Sequence, residues 1–423
     1  MPPGKQPVKQ GRPDPSDMQI SRRTRSKTGS YHHGTPSASA LKLKILNVAF
    51  PRVGQKAPRR MDIENPYLAN PRDTQFRSIL AERSCPCVTA VWAGMPQQAT
   101  SFGESILVVF IPMGEGRGMN AFPGPLWTGP IAPEDAGAVL RMLSEEIPPE
   151  VARRLEAVEP GRWEETHWMV RGAYRGRELV GVELAHLQAG RTAVLWPPRL
   201  TPPVGIEVGL FLVEAVCQEL GSRAVTLVYC FLETDTGVES RLMQLAGFTR
   251  LAQLLYLVCM EDQFPSQRPL SALSFEPYTP ENHSRLVRTV EATYGESLDC
   301  PLLNQKRAME DVLAGYQATG VHRPHLWQLV RADQHDVGCL LLTDHPELES
   351  LELIYMGLIP SARGRGWGME LARQAQWLTR LAGRNQLLLG VDADNWPAIR
   401  TYAAVGFRQW ASRMVYGKFL ESP

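Results

Sequence analysis

The pattern that most limits how this chain can fold occurs in it twice. In the C-terminal third, "ENHSRLVRTVEATYG" (281–295) and "NQKRAMEDVLAGYQATG" (304–320) carry apolar residues at helical spacing, and each closes on a glycine. Three strand-like runs follow, "HLWQLVRA" (325–332), "DVGCLLLTD" (336–344) and "SLELIYMGLI" (350–359). After a glycine-rich stretch come a helix over 368–382, the apolar strand "NQLLLGVDA" (385–393), a short helix over 396–404, and two closing strands, "FRQWA" and "RMVYGKF". An entry strand is expected near Leu273–Tyr278. The middle of the chain repeats this order: strands at 166–176, 178–187 and 191–196, a helix over 206–220, a strand at 224–233, a short helix over 236–248, and "LAQLLYLVCM" (251–260) to close the unit.

The halves align without a gap at an offset of 159 residues over their last fifty positions. Gly209 falls on Gly368, Leu212 on Leu371, Asp235 on Asp394, Arg241 on Arg400, and Gly247-Phe248 on Gly406-Phe407. Shared element order and the shared "GF" before the last strands indicate one fold in two copies, joined near "EDQFPSQRP" (261–269). The fold class expected is α/β: two tandem α/β/α domains, each with a mixed, mostly antiparallel central sheet. The division expected is a disordered basic tail (1–44), an N-terminal extension packed on the first copy (45–130), the first copy (131–262) and the second (263–423).

The chain's 423 residues exceed what one core usually serves. The formal net charge of +1 gives no global field toward nucleic acid or membrane. The charge is uneven, however. Residues 1–44, with "SRRTRSKTGSYHHG", have basic residues and no apolar periodicity, which predicts a solvated tail that could at most touch an acidic surface such as RNA. No apolar run reaches 18 residues and no signal-peptide core is present, so no membrane span or secretory signal is expected. Seven scattered cysteines make no disulfide framework, which points to a reducing, cytoplasmic setting. "CPC" (85–87) and "HRPH" (322–325) are weak metal signals, and no metal site is expected. "GEGRG" (114–118) is discounted as an anion loop because no clear helix follows it.

The chemistry concentrates in "ARGRGWGMELA" (362–372). A strand runs in, a helix runs out, and Arg363, Gly364, Arg365, Gly366, Trp367, Gly368 and Met369 fall at the helix N-terminus. There the first N–H groups lack intrahelical acceptors and the dipole is positive. Glycines permit tight turning and close approach, and arginines can add charge-assisted contacts, so the stretch can seat phosphates. No Gly-Lys-Ser/Thr follows and the spacing is Arg-x-x-Gly-x-Gly, which excludes a Walker loop and a dinucleotide fingerprint. A plain glycine turn with solvated arginines is the alternative.

Arg363-x-x-Gly366-x-Gly368, with "GLIP" before it and "DNWPAIRTYAAVGF" after it, resembles the GNAT family of acyl-CoA-dependent N-acetyltransferases. The resemblance is strong over about 271–423 and rests on element order alone over about 131–262, so the whole chain resembles tandem GNAT proteins. It implies that amides of about 364–369 hold the pyrophosphate of coenzyme A, supported by Arg363 and Arg365. It implies that backbone groups near Met356 and Leu358 pair with the pantetheine arm, and that Tyr402 protonates the departing thiolate. Asn395 would bond the pantetheine or a neighbouring strand, or serve only as a helix N-cap. Glu352 is the candidate base, with Tyr355, Glu349 and His345 as alternatives and a solvated strand-end carboxylate as the bland reading. Tyr402 as a core anchor is the bland reading there. Cys339 is read as a buried thiol, since direct attack needs no covalent enzyme intermediate.

At the same offset the first copy has Val204 for Arg363, Glu207 for Gly366 and Met243 for Tyr402, and its loop "WPPRLTPPVG" holds four prolines without N–H groups. It is expected to have lost coenzyme binding and to serve as structure or as a wall of the acceptor pocket. The expected activity is acetyl-CoA-dependent N-acetylation of a small-molecule or protein amine by direct attack in the C-terminal domain. The alternative is a non-catalytic acyl-CoA sensor or scaffold. "GESLDCPLLNQKR" (295–307) is expected to lie over the acceptor site, with Glu296 and Asp299 able to attract a cation.

Overall fold

The computed structural model describes residues 124–421 apart from 145–146, 148, 160–161, 164–166 and 305. The expected basic tail, the "CPC" pair, the "GEGRG" loop and most of the 45–130 segment lie outside the described residues.

The first copy comprises β1 (Leu126–Pro130), α1 (Ala136–Leu143), α2 (Pro149–Glu156), β2 (Trp168–Arg175), β3 (Glu178–Gln188), β4 (Thr192–Leu195), β5 (Arg199–Leu200), α3 (Ile206–Ser222), β6 (Leu227–Leu232), α4 (Val238–Leu245) and β7 (Thr249–Met260). The second comprises β8 (Ser274–Pro277), α5 (His283–Thr293), α6 (Met309–Gln317), β9 (Trp327–Ala332), β10 (His335–His345), β11 (Ser350–Leu358), α7 (Trp367–Leu381), β12 (Gln386–Asp392), α8 (Trp396–Ala404) and β13 (Arg408–Phe419). β1 falls inside the span expected to be an extension. It pairs antiparallel with β2 and is the first strand among the described residues.

The repeat is physical, not only textual. Gly247 and Gly406 follow the ends of α4 and α8 with φ of +84° and +94°, the left-handed position that ends many helices and that a Cβ opposes. Gly209 and Gly368 open α3 and α7 beside the paired short helix. A Cβ on Gly209 would stand 2.5 Å from Leu242, and one on Gly368 would stand 3.5 Å from Thr401.

Two separate central sheets were expected, but the strands form one mixed sheet, mostly antiparallel, in the order β1-β2-β3-β4-β6-β13-β7-β12-β11-β10-β9-β8. Only β4–β6 and β11–β12 run parallel. The closing strands are exchanged. β13 pairs with β6 of the first copy, from Met414↔Leu232 to Phe419↔Leu227. β7 pairs with β12 of the second, from Gln386↔Met260 to Asp392↔Leu254. β7 and β13 then pair with each other. The two closing strands expected at the C-terminus are one strand with register shifts at Gln409/Ala411 and Val415/Tyr416. Bulges let a strand bend without ending.

Helices cover both faces of the sheet. α7 and α8 pack on Leu351, Leu353, Leu387 and Leu389, and α3 and α4 pack on Val228, Cys230 and Tyr416. On the other face α1 and α2 pack on Val170, Val182 and Leu184, and α5 and α6 pack on Trp327, Leu329 and Leu341. No helix among the described residues is long and apolar enough to cross a membrane.

Candidate functional site

β11 and β12 pair from Ser350↔Gln386 to Leu353↔Leu389 and then part. β11 continues along β10 as far as Leu358, and β12 continues along β7 as far as Asp392. The Ile359 N–H donates to the Val337 carbonyl on the β10 side, at 3.0 Å. Alternation along the strand then turns the N–H and C=O groups of Met356 and Leu358 toward the gap. The splay expected at "MGLI" is therefore present.

The gap leads to the glycine stretch. Gly364 (φ +76°) and Gly366 (φ +78°) are exposed with open space around them, so conformation and not crowding demands glycine there. Gly366 caps α7 with no side-chain cap, and Trp367, Gly368 and Met369 form the first turn, Met369 being exposed. The Arg365 guanidinium lies 5.1 Å from the centre of the Trp367 ring, a cation–π contact at the loop mouth, and also donates to the Ser361 carbonyl.

Arg363, expected to support the phosphates, is engaged with the main chain. Its guanidinium donates four hydrogen bonds to main-chain carbonyls: Leu358 (3.0 Å), Thr293 (2.8 Å), Gly295 (2.8 Å) and Glu296 (3.0 Å). It ties the C-terminus of α5 to the last turn of β11. A sequence shows the arginine but not carbonyls nearly seventy positions away.

Tyr402 projects from α8 and is buried, its ring edge-on to Phe407 at 5.4 Å. Its hydroxyl has no hydrogen-bond partner among the described residues. Burial holds that hydroxyl well above the ordinary tyrosine range, and the Asp299 carboxylate adds to the rise. Tyr402 stays protonated at neutral pH and can donate.

Glu352 is not a solvated strand end. It is 5% exposed, and its Oε2 lies 3.1 Å from Nε2 of His345 across the β10–β11 hairpin. Glu352 and His345, each a candidate base by sequence, thus form one pair. Tyr355 and Glu349 are engaged elsewhere: the Tyr355 hydroxyl bonds Thr293 Oγ1 at 2.8 Å, and Glu349 accepts from Asn385 at 2.9 Å. Asn395 takes the N-cap reading, its side-chain oxygen accepting from the Ala398 N–H at 3.4 Å.

The segment after α5 does lie over the end of β12. The Asp392 N–H donates to Asp299 at 3.0 Å and the Cys300 N–H donates to Asp392 at 3.1 Å. Asp392 is buried and its pKa is raised by desolvation, against backbone hydrogen bonds that lower it. Sequence reading passed over Asp392; an acid closing the apolar run "LLLGVD" was the available signal. Cys339 is fully buried, and burial pushes its thiol up to about 12, an inert group. His322 packs edge-on against Trp327 at 4.7 Å, and no His/Cys/Asp/Glu group among the described residues could hold a metal.

In the first copy β4 and β6 also part, after Val194↔Tyr229. The loop that follows turns back onto β3 as β5, and α3 begins after Pro202-Pro203. The Glu207 carboxylate folds over the start of α3, with Oε2 2.2 Å from where a Cβ on Gly205 would stand. Met243 is fully buried at the position of Tyr402.

Residues 290–407 match the Acetyltransferase (GNAT) family. A mycothiol acetyltransferase of Rhodococcus erythropolis is 32% identical over 110 residues, 26% of this chain and 30% of that protein. One of Corynebacterium glutamicum is 40% identical over 73 residues, 17% of this chain and 24% of that protein. The matched stretch thus spans about a quarter to a third of the length of these curated relatives. A solved GCN5-related N-acetyltransferase from Sphaerobacter thermophilus superposes with a TM-score of 0.47 at 18% identity, over 70% of this chain and 95% of that one. The match to the Acetyltransferase (GNAT) family thus falls on residues 290–407, the stretch that holds the splayed strands, the glycine-capped helix and Tyr402.

Proposed function

We propose that the chain is an acetyl-CoA-dependent N-acetyltransferase whose active site lies between β11 and β12. One observation carries the reading: the open edge of β11 runs directly onto an uncapped helix N-terminus, with Tyr402 and Glu352 as the flanking proton donor and acceptor. The residues fit coenzyme A. Met356 and the Leu358 N–H offer unpaired strand-edge groups to an extended arm, the Leu358 carbonyl being held by Arg363. The amides from Gly364 to Met369 offer a positive end to phosphates, with Arg365 beside them. Asn395, although it caps α8, keeps its amide NH2 as a donor to the arm.

When bound, acetyl-CoA supplies an activated thioester carbonyl. A backbone N–H on β11 polarises that carbonyl as charge develops on its oxygen. Glu352, steadied by His345, takes a proton from the acceptor amine directly or through water. Tyr402 gives its proton to the departing thiolate. No cysteine is needed for direct transfer. The similarity to mycothiol acetyltransferases supports the transfer chemistry, to an amine on a small molecule or a protein. The first copy, with Glu207 over its helix and prolines in its loop, lacks the seat and serves as scaffold.

Calorimetric titration with acetyl-CoA, followed by thiol release in the presence of amines, tests this reading. One binding site per chain and amine-dependent thiol release are expected. Absence of binding at millimolar acetyl-CoA overturns it.

A further inference from the structure

The strand exchange gives the face opposite α7 and α8 an uncommon floor. β6, β13, β7 and β12 lie side by side between the helix pairs α1–α2 and α5–α6, and the turn Pro301–Leu303 packs over β7 there. This floor is largely apolar and aromatic, with Arg413 in register with Leu254 beside Tyr256 and Arg307 against Tyr229. Tyr229, Phe231 and Trp410 are half-buried on it around the buried Leu254, Tyr256 and Leu388.

Two features join the floor to the reaction centre. Tyr256 stands opposite Gly390, one residue past the last β11–β12 pair, and its ring lies 3.7 Å from where a Cβ on Gly390 would stand. Glu352 is in register with Leu388, which shares the Tyr256 cluster, so base and ring lie on one face. The second feature is the bulge between Gln409 and Ala411, which leaves Trp410 as the extra residue. Bulges beside active sites re-aim a side chain. Here the bulge sets Trp410 next to Tyr256, ring centres 6.1 Å apart. The Tyr256 hydroxyl is buried with no hydrogen-bond partner, a costly state that a polar group close to the acceptor's amine would relieve.

Resting on the functional reading above, we propose that the acceptor is a primary amine carried on an aromatic or bulky apolar body, which lies on the exchanged strands against Trp410 and Tyr256. The amine reaches Glu352 and the head of the splay, while the body covers the floor toward Phe231. The first copy therefore contributes part of the acceptor site through Tyr256. Aromatic surface held on a rigid sheet binds a flat apolar body at low entropic cost.

Phenethylamine and ethanolamine are the probes, each assayed by thiol release from acetyl-CoA with the full chain. We expect kcat/KM for phenethylamine at least tenfold above that for ethanolamine. Trp410→Ala and Tyr256→Leu, which remove aromatic surface, should each reduce that preference at least fivefold, while acetyl-CoA affinity by calorimetry stays within twofold of wild type. The affinity measurement also reports whether each variant is folded. Equal or reversed preference overturns the proposal, as does an unchanged preference in both folded variants. Acetyl-CoA binding without turnover of either amine overturns it too. Failure to bind acetyl-CoA instead overturns the functional reading beneath it.

Discussion

The two copies keep the same splay and differ in what stands at its end. β4 and β6 part after a short parallel run, as β11 and β12 do. In the second copy the parted strands meet two left-handed glycines and an open helix start. In the first they meet a proline loop that folds back onto β3, and a carboxylate over the helix. On the proposed function, the same splay makes a coenzyme seat in one copy and not in the other. The loop decides whether the end of the gap attracts or repels an anion, because at a helix terminus the sign of one nearby charge outweighs the small dipole term.

The comparison can be broken most severely by separating the copies. Residues 124–262 and 263–423, expressed apart, each lose the neighbour of a closing strand. Neither should be soluble alone, and co-expression should restore a complex by gel filtration. A soluble, monomeric C-terminal fragment with full acetyl-CoA affinity would show the exchange to be dispensable. Next in size is Tyr402→Phe, which removes the hydroxyl that Met243 lacks. We expect kcat to fall about 100- to 1,000-fold, as for loss of a general acid. Because burial and Asp299 raise the Tyr402 pKa, its proton is retained as pH rises. Wild-type kcat should therefore show no alkaline fall up to about pH 10, the ordinary tyrosine value. A loss of rate near pH 8 that disappears in Tyr402→Phe would contradict the retained proton.

Gly366→Glu transplants the residue of the first copy. Strain at positive φ and repulsion of phosphate should together weaken acetyl-CoA about 10- to 100-fold by calorimetry. Arg363→Lys keeps the charge but cannot serve four carbonyls. We expect a stability loss of about 2 kcal/mol in denaturant melts and an unchanged salt dependence of acetyl-CoA affinity. A flattened salt dependence would return Arg363 to the phosphate. The smallest effect is the reverse transplant, Glu207→Gly, which should leave binding at one site per chain because the proline loop still lacks N–H groups. A second calorimetric site would show that the carboxylate alone silences the first copy.

What could be read from sequence was what local conformation demands. Gly247 and Gly406 are glycines because the chain turns left-handed there, and the repeat shows through such positions. Gly364, Gly366 and Asn395 were legible for the same reason: each residue type matches its own backbone. The exchange of β7 and β13 was not legible. Both are long, apolar closing strands, and nothing local states which sheet a strand joins. "FRQWA" and "RMVYGKF" read as two strands because the polar Ser412 between them resembles a break, whereas neighbours on both sides keep β13 continuous. The carbonyl partners of Arg363 were not legible because its charge is local and most of those partners are distant. The pairing of Glu352 with His345 lay between, seven residues apart across a hairpin whose register only the fold supplies.

The exchanged strands also set an order of events during synthesis. The hydroxyls of Ser240 and Tyr416 meet at 3.0 Å although 176 positions separate them. β6 waits for β13, which leaves the ribosome after every other strand of the described sheet. The first copy, made early, cannot finish its own sheet until the second is nearly complete, and closure over such separations is slow. During that interval β6 presents an unpaired apolar edge, the kind of surface on which chaperones act. A chain stalled before residue 408 would leave both copies unfinished at once, so the two halves stand or fall as one cooperative unit.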